Sequence, residues 1–425
     1  MTTTLSPTPN EVVTRTTRAP APHRLFCPRC QLTFEAAPQA LCSTCLGPVQ
    51  PVYDQNGLPS RDELEQRPPT LWRYAEWLPF AEPPVVARSV GFTPLVEAPR
   101  LAHELGVARV WIKNDSVSHP SLSFKDRVVA TALNAAHAFG LTTVGCASTG
   151  NLANAVAAAA AAAGLPAWIF VPADLEPAKI IGTTVYGPHL VRVRGTYDDV
   201  NRLCSQIADR FEWGIVNVNL RAYYGEGSKT VGFEIVDQLG WRFPTAVIAP
   251  MAGGSLVTKL HKAFGEFARA GLADGEQPRI YGAQANGCAP IVRFVQSNAR
   301  SLTPERPSTI ARSLAIGSPA DALTARAAIL QSGGWAHAVT DDELVVGIRR
   351  LAETSGVFTE TAGGVTVAAA YALAQQGRLR PSDEVVLCIT GNGLKTTDAV
   401  ASALEAAPEI APRLSAVEAL VAAAA

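Results

Sequence analysis

A single lysine in Ser123-Phe124-Lys125-Asp126-Arg127 stands where a loop meets a helix-length segment, a place from which an amine can be presented to a ligand. Imine chemistry needs that amine neutral, which burial or a neighbouring cation such as Arg127 favours, and Phe124 offers an apolar wall. On its own the pentapeptide reads equally as a helix start with Lys125 paired to Asp126. Three further loops change the balance. Ala147-Ser148-Thr149-Gly150-Asn151 closes a short apolar run and opens a helix. The donors of Ser148, Thr149 and Gly150 suit a carboxylate there, and Asn151 suits a phenolate oxygen, although such a turn also serves as a plain cap. Gly253-Gly254-Ser255 precedes a second helix. Its glycines let backbone N–H groups approach a phosphate, Ser255 adds a hydroxyl, and the N–H of Leu256 lies at the positive end of the helix dipole. Thr390, in Thr390-Gly391-Asn392-Gly393, offers a hydroxyl to a pyridine nitrogen and would leave that nitrogen unprotonated, where the bland alternative is a turn. An amine, a polar cup, a phosphate cradle and a ring contact are together what a pyridoxal phosphate enzyme requires.

The elements that must position these residues alternate. β-rich apolar runs are expected as strands at 110–113, 143–146, 168–171, 190–193, 246–249 and 385–389, and helices at 124–139, 151–163, 197–211, 227–239, 256–270 and 341–354. That order predicts an α/β fold with a parallel sheet covered on both faces. In such sheets ligands bind beyond the carboxyl ends of the strands, which is where three of the four loops fall.

The chain has 425 residues and a formal net charge of −1, room for two or three structural units and no electrostatic call for nucleic acid or an anionic membrane. The most apolar stretch, 152–173, is mostly alanine and is interrupted by Asn154, Gly164 and Pro166, so it predicts a buried helix and a strand and not a span. The first 24 residues carry Thr, Pro and Arg with no apolar block, which predicts a disordered tail on a soluble cytoplasmic protein. Of eight cysteines, Cys27, Cys30, Cys42 and Cys45 form two C-x-x-C pairs. That spacing predicts a zinc ribbon over 25–56 with a structural metal, since four thiolates leave no open coordination position. Cys146, Cys204, Cys288 and Cys388 stand in apolar surroundings and are expected to pack as small hydrophobes.

Together these motifs resemble the fold-type II pyridoxal phosphate enzymes, the tryptophan synthase β-like group, and among them the longer threonine synthases. Gly91-Phe92-Thr93-Pro94-Leu95, Asn219-Leu220-Arg221 and Glu226-Gly227-Ser228-Lys229-Thr230 extend the likeness from Cys27 to about Val400. The resemblance implies two open α/β subdomains over 57–412, the smaller at roughly 115–225, and the alanine-rich residues 413–425 beyond it are expected to form a helical tail. It further implies that Lys125 carries the cofactor, that Asn151 meets its O3′, that Gly253, Gly254 and Ser255 hold its phosphate, and that Thr390 faces N1. The reaction implied is O-phospho-L-homoserine and water to threonine and phosphate, with Lys125 moving the protons, in an enzyme expected to be a homodimer. A second anion pocket must then take the substrate phosphate, for which Arg221 and Lys229 are the candidates and Lys113 a weaker one. Four places depart from the commonest family pattern. His119-Pro120-Ser121 stands where Asn-Pro-Thr is usual, Leu152 replaces a small hydroxylated residue, and Met251–Ser255 has fewer asparagines than many such phosphate loops. Tyr224 stands near where the shorter threonine synthases often have an arginine before the Glu-Gly stretch, with Arg221 displaced. β-Replacement on O-phosphoserine, as in cysteate synthase, and dehydration of threonine or serine are the alternative reactions for the same motifs.

Overall fold

The computed structural model describes residues 23–79 and 84–424. The expected tail therefore lies outside the described residues up to position 22, and His23 and Arg24 already belong to the first strand. Strands β1 (His23–Phe26), β2 (Thr33–Glu35) and β3 (Gln50–Tyr53) form an antiparallel sheet in the order β2-β1-β3. Each C-x-x-C pair sits in a knuckle in which the residue after the second cysteine, Gln31 or Leu46, takes a positive φ and donates its N–H to the carbonyl of Cys27 or Cys42. The four Sγ atoms consequently lie within 4.8 Å of one another. Zinc–sulfur bonds of about 2.3 Å require tetrahedral edges of roughly 3.8 Å, so the donor set fits that ion.

The body holds two further sheets. One contains β4 (Leu95–Glu97) and β5 (Arg109–Asn114). The chain then leaves to build a separate parallel sheet from β6 (Val144–Ala147), β7 (Ala167–Pro172), β8 (His189–Val193) and β9 (Gly214–Ile215), in the order β8-β7-β6-β9. It returns with β10 (Ala246–Pro250), β11 (Arg279–Ala285), β12 (Ala336–Val339) and β13 (Glu384–Ile389) to complete the order β12-β11-β10-β13-β5-β4, parallel except at β4. Register places Val385 beside both Ala246 and Val110. Val247 and Ile248 are fully buried, each contributing ~1.5–3 kcal/mol of apolar transfer, which is why these runs carry no polar face.

The helices that bear on the site are α1 (Lys125–Ala138), α2 (Asn151–Ala163), α3 (Pro177–Thr184), α4 (Arg221–Gln238), α5 (Ser255–Arg269) and α6 (Ala322–Gln331). α2 and α5 begin directly after the turns that follow β6 and β10, as expected. α4 differs from the expected 227–239, because it starts at Arg221 and runs through Gly225 and Gly227. These glycines are demanded by close approach: a Cβ at Gly227 would lie 2.4 Å from the Arg127 carbonyl oxygen, and one at Gly225 would lie 2.7 Å from Lys259 Cε. β11 and β12 are absent from the expected strands, since Gly282 and a run of alanines weaken their β signal.

The ribbon docks on α4 and α5. Tyr223 Oη donates to the Ala37 carbonyl (2.6 Å) and accepts from its N–H (3.1 Å). Tyr53 Oη donates to Glu226 Oε2 (2.8 Å), and Lys262 Nζ donates to the Pro51 carbonyl (2.8 Å). The scattered cysteines Cys146, Cys204, Cys288 and Cys388 are all buried. Among the described residues no helix is long and apolar enough to cross a membrane.

Candidate active site

The loop ahead of Lys125 is stitched to the loop after β13. The Phe124 N–H donates to the Thr390 carbonyl (2.9 Å), Ser123 bridges Gly391, and the Asn392 N–H donates to the Leu122 carbonyl (3.1 Å). Lys125 is half-buried at the first position of α1, and its Nζ donates to Tyr224 Oη at 2.6 Å. Two signals far apart in sequence, Lys125 and Thr390, are thereby fixed on one wall of a cavity of about 190 Å³.

Gly253, Gly254, Ser255 and Leu256 line the same cavity. Gly254 has φ +92°, and a Cβ at Gly253 would meet no described atom within 4 Å, so the turn is open toward the space in front of it. Among the described residues no side chain caps α5. Its first N–H groups lack intrahelical partners, and the helix dipole behind them favours an anion in the cavity that Ser255 and Leu256 line. That is a cradle of the kind a cofactor phosphate needs, and the residues present fit it.

Asn151 opens α2 with its amide Nδ2 donating to Glu360 Oε1 at 2.7 Å. Asn151 Oδ1 and Glu360 Oε2 are buried without a hydrogen-bond partner among the described residues, an unusual pair of orphans that a ligand in the cavity would complete. Ser148 Oγ accepts from the N–H groups of Gly150 (2.9 Å) and Ala153 (2.8 Å), which leaves its own proton to donate outward. Ser148 and Thr149 line the cavity. Gly150 does not: its N–H is taken by Ser148, its φ is +124°, and a Cβ there would strike Lys179 Cδ at 2.1 Å. Its part is to let α3 come close.

Of the three cations expected for a second anion site, only Arg221 is in the cavity. It stands on the first turn of α4, 2.6 Å from Asp321 Oδ2, and that carboxylate holds its guanidinium above the usual range. Lys229 is corrected. Starting the helix at Arg221 carries position 229 about 12 Å along its axis, to where the side chain is fully buried between Glu226 (2.7 Å) and Glu266 (2.9 Å). Lys113 is likewise buried, on Glu234 (2.7 Å), Gln238 (2.8 Å) and the Thr93 carbonyl (2.6 Å). Arg127 is no neighbour for the Lys125 amine either. It points into the interior, where Asp115 (2.8 Å) and Glu234 neutralise it.

Tyr224, Asp321 and Glu360 are cavity residues that the sequence motifs do not assign. Tyr224 is open to discovery, since it follows Arg221 at helical spacing once the helix is started there. Asp321 and Glu360 carry no local motif and arrive through tertiary packing. The cavity lining thus sets Lys125 and Arg221 against Asp198, Asp321 and Glu360. Burial and the nearby Asp199 raise the Asp198 carboxyl.

The fold and the cavity have the character of one enzyme class, and the family model described as "Pyridoxal-phosphate dependent enzyme" matches residues 86–391. Threonine synthase of Methanosarcina acetivorans is 34% identical over 86% of this chain and 90% of its own. Threonine synthase of Methanocaldococcus jannaschii is 33% identical over 89% and 94%. Among solved structures, a fungal L-serine ammonia-lyase from Rhizomucor miehei shares the fold with a TM-score of 0.60 at 23% identity, covering 71% of this chain and 94% of that one. The chain belongs to the pyridoxal-phosphate dependent enzymes and, within that family, to the threonine synthases.

Proposed function

We infer that this chain is a threonine synthase, converting O-phospho-L-homoserine and water to L-threonine and phosphate. The observation that carries the reading is one cavity that offers both an uncapped glycine turn for a cofactor phosphate and an arginine, Arg221, for a second anion. Lys125 would bind the cofactor covalently, Gly253, Gly254, Ser255 and the Leu256 N–H its phosphate, Asn151 its ring oxygen and Thr390 its ring nitrogen. Bound there, pyridoxal phosphate supplies an electron sink that acidifies the C–H bonds of the amino acid attached to it. The protein does the rest. Ser148 and Thr149 donate to the substrate carboxylate, and Arg221 receives the phosphate that leaves Cγ. Lys125 would take and return protons at Cα, Cβ and Cγ, with Tyr224 Oη holding its amine in place. Water then adds at Cβ.

Purified holoenzyme given O-phospho-L-homoserine is expected to form threonine and phosphate in equal amounts, followed together with 2-oxobutyrate by NMR. Phosphate released with 2-oxobutyrate alone, or no reaction, would remove the assignment.

The same reading extends to a structural zinc on Cys27, Cys30, Cys42 and Cys45, a catalytic body over 57–412, a homodimer and a cytoplasmic location. The four convergent thiols support the zinc. Cys27→Ser is expected to weaken zinc binding by more than the ~100-fold that losing an outer-shell partner costs, and to lower the melting temperature. Metal content and a thermal melt check this; full zinc with an unchanged melt would count against the ribbon.

A further inference from the structure

Arg221 is engaged in the free protein. Its partner Asp321 is fixed by its main chain: the N–H donates to the Gly253 carbonyl (3.1 Å), and its own carbonyl accepts from Ala325 N–H (2.8 Å) and Thr324 Oγ1 (2.9 Å). The side chain makes no cap at the start of α6, so the carboxylate is the movable part. Behind the ion pair is a second cavity, of about 50 Å³, roofed by the ribbon at Val49 and Gln50 and floored by Thr258, Lys259 and Thr324. Arg221, Ser255 and Asp321 border both cavities, so the pair is the partition between them.

Asp321 therefore has two places to be. On one side it meets Arg221 at 2.6 Å. On the other is the ammonium of Lys259, which lines the second cavity, already feels the Asp321 charge and donates to Glu226 Oε1 at 2.6 Å, while the hydroxyls of Thr258 and Thr324 there are spent on the Gly254 and Asp321 carbonyls. A phosphate ester carrying nearly two negative charges does not share Arg221 with a carboxylate in contact without strong repulsion in a partly dry site. We propose that Asp321 is an internal competitor for Arg221 and thereby a positioning residue in phosphate turnover. It neutralises Arg221 in the free enzyme, turns toward the Lys259 ammonium when the substrate phosphate arrives, and returns to displace the phosphate product. This rests on reading Arg221 as the group that binds the substrate phosphate.

The test is calorimetric titration of the holoenzyme, its cofactor site filled, with inorganic phosphate. Asp321→Asn keeps the side-chain shape and removes the competing charge. It is expected to tighten phosphate binding about tenfold, or about 1.4 kcal/mol, with stronger product inhibition and a joint fall in kcat and KM as release slows. A damaged fold does not tighten binding, so a merely structural role predicts no such gain. Arg221→Ala in both backgrounds must erase the difference, as coupling through one guanidinium requires. Unchanged or weaker phosphate binding in Asp321→Asn overturns the proposal, and so does a gain that survives without Arg221. The titration needs no turnover. Tightened phosphate with no threonine formed would uphold the competitor and refute the functional reading instead.

Discussion

Replacing Lys125 by alanine is expected to reduce threonine formation by ~10³-fold or more, because one side chain supplies both the covalent hold on the cofactor and the proton transfers. The loss is expected without unfolding. Lys125 is half-buried, and its Nζ donates to Tyr224 Oη and forms no ion pair among the described residues, so its removal leaves no acid without its partner. Far-ultraviolet circular dichroism should be unchanged while the visible absorbance of covalently held cofactor disappears. Phosphate affinity at the Gly253–Ser255 turn should persist, since that turn is built by β10 and α5 and takes nothing from Lys125. Normal turnover by Lys125→Ala would mean that another amine does this work, and Lys395 would be the next to test. Burial lowers its ammonium to about 8, against the pull of Glu360 and Asp126.

How far this site is legible in the sequence follows from what each residue does. Lys125, Asn151, Gly253 to Leu256 and Thr390 sit at strand-to-helix turns, where a ligand's phosphate, oxygen and nitrogen demand particular residue types at short spacing. Such demands are local, so they show in the string. The cysteine pairs are readable for the same reason, since a knuckle presents two thiolates over four residues. Arg221 and Lys229 are a different matter. Both suggest themselves for one anion pocket, but Gly225 and Gly227 look like breakers unless the neighbouring α1 and α5 are in view. With the helix begun too late, nothing shows that Lys229 lies two turns below Arg221 and serves the ribbon interface. Asp321 and Glu360 come from the start of α6 and from the loop after Phe358, and only tertiary packing brings them to the cavity. β11 and β12 are hidden because their alanines and Gly282 pack under helices, where burial overrides weak β propensity.

Glu234→Ala is expected to have the largest effect on stability, about 3–5 kcal/mol out of a total of roughly 5–15, measured by urea unfolding. The carboxylate is fully buried and gathers five donors. Oε2 takes Arg127 Nη2 (2.7 Å), Lys113 Nζ (2.7 Å) and Thr93 N–H (3.2 Å), while Oε1 takes Phe92 N–H (2.7 Å) and Arg127 Nη1. Removing it leaves Arg127 and Lys113 buried with Asp115 as the only remaining acid bonded to either among the described residues. The network also ties the Gly91–Leu95 turn to α1 two residues past Lys125, so the loss should loosen the floor under the catalytic amine. The sign of the pH dependence follows from the carboxyl. Burial alone would raise it, but Arg127 and Lys113 overcome that and hold it at about 2, below its ordinary 4.5. A carboxyl depressed in the folded state contributes stability that is complete above the unfolded value and is lost as pH falls toward the folded one. The wild-type protein should therefore weaken between pH 4.5 and about 2. Glu234→Gln, which keeps the shape and drops the charge, should be weaker at neutral pH and flatter over that acid range. A Glu234→Gln protein with wild-type urea midpoints at neutral pH and an unchanged acid limb would show that the two buried cations are satisfied without this carboxylate, and the network would have to be redrawn around Asp115.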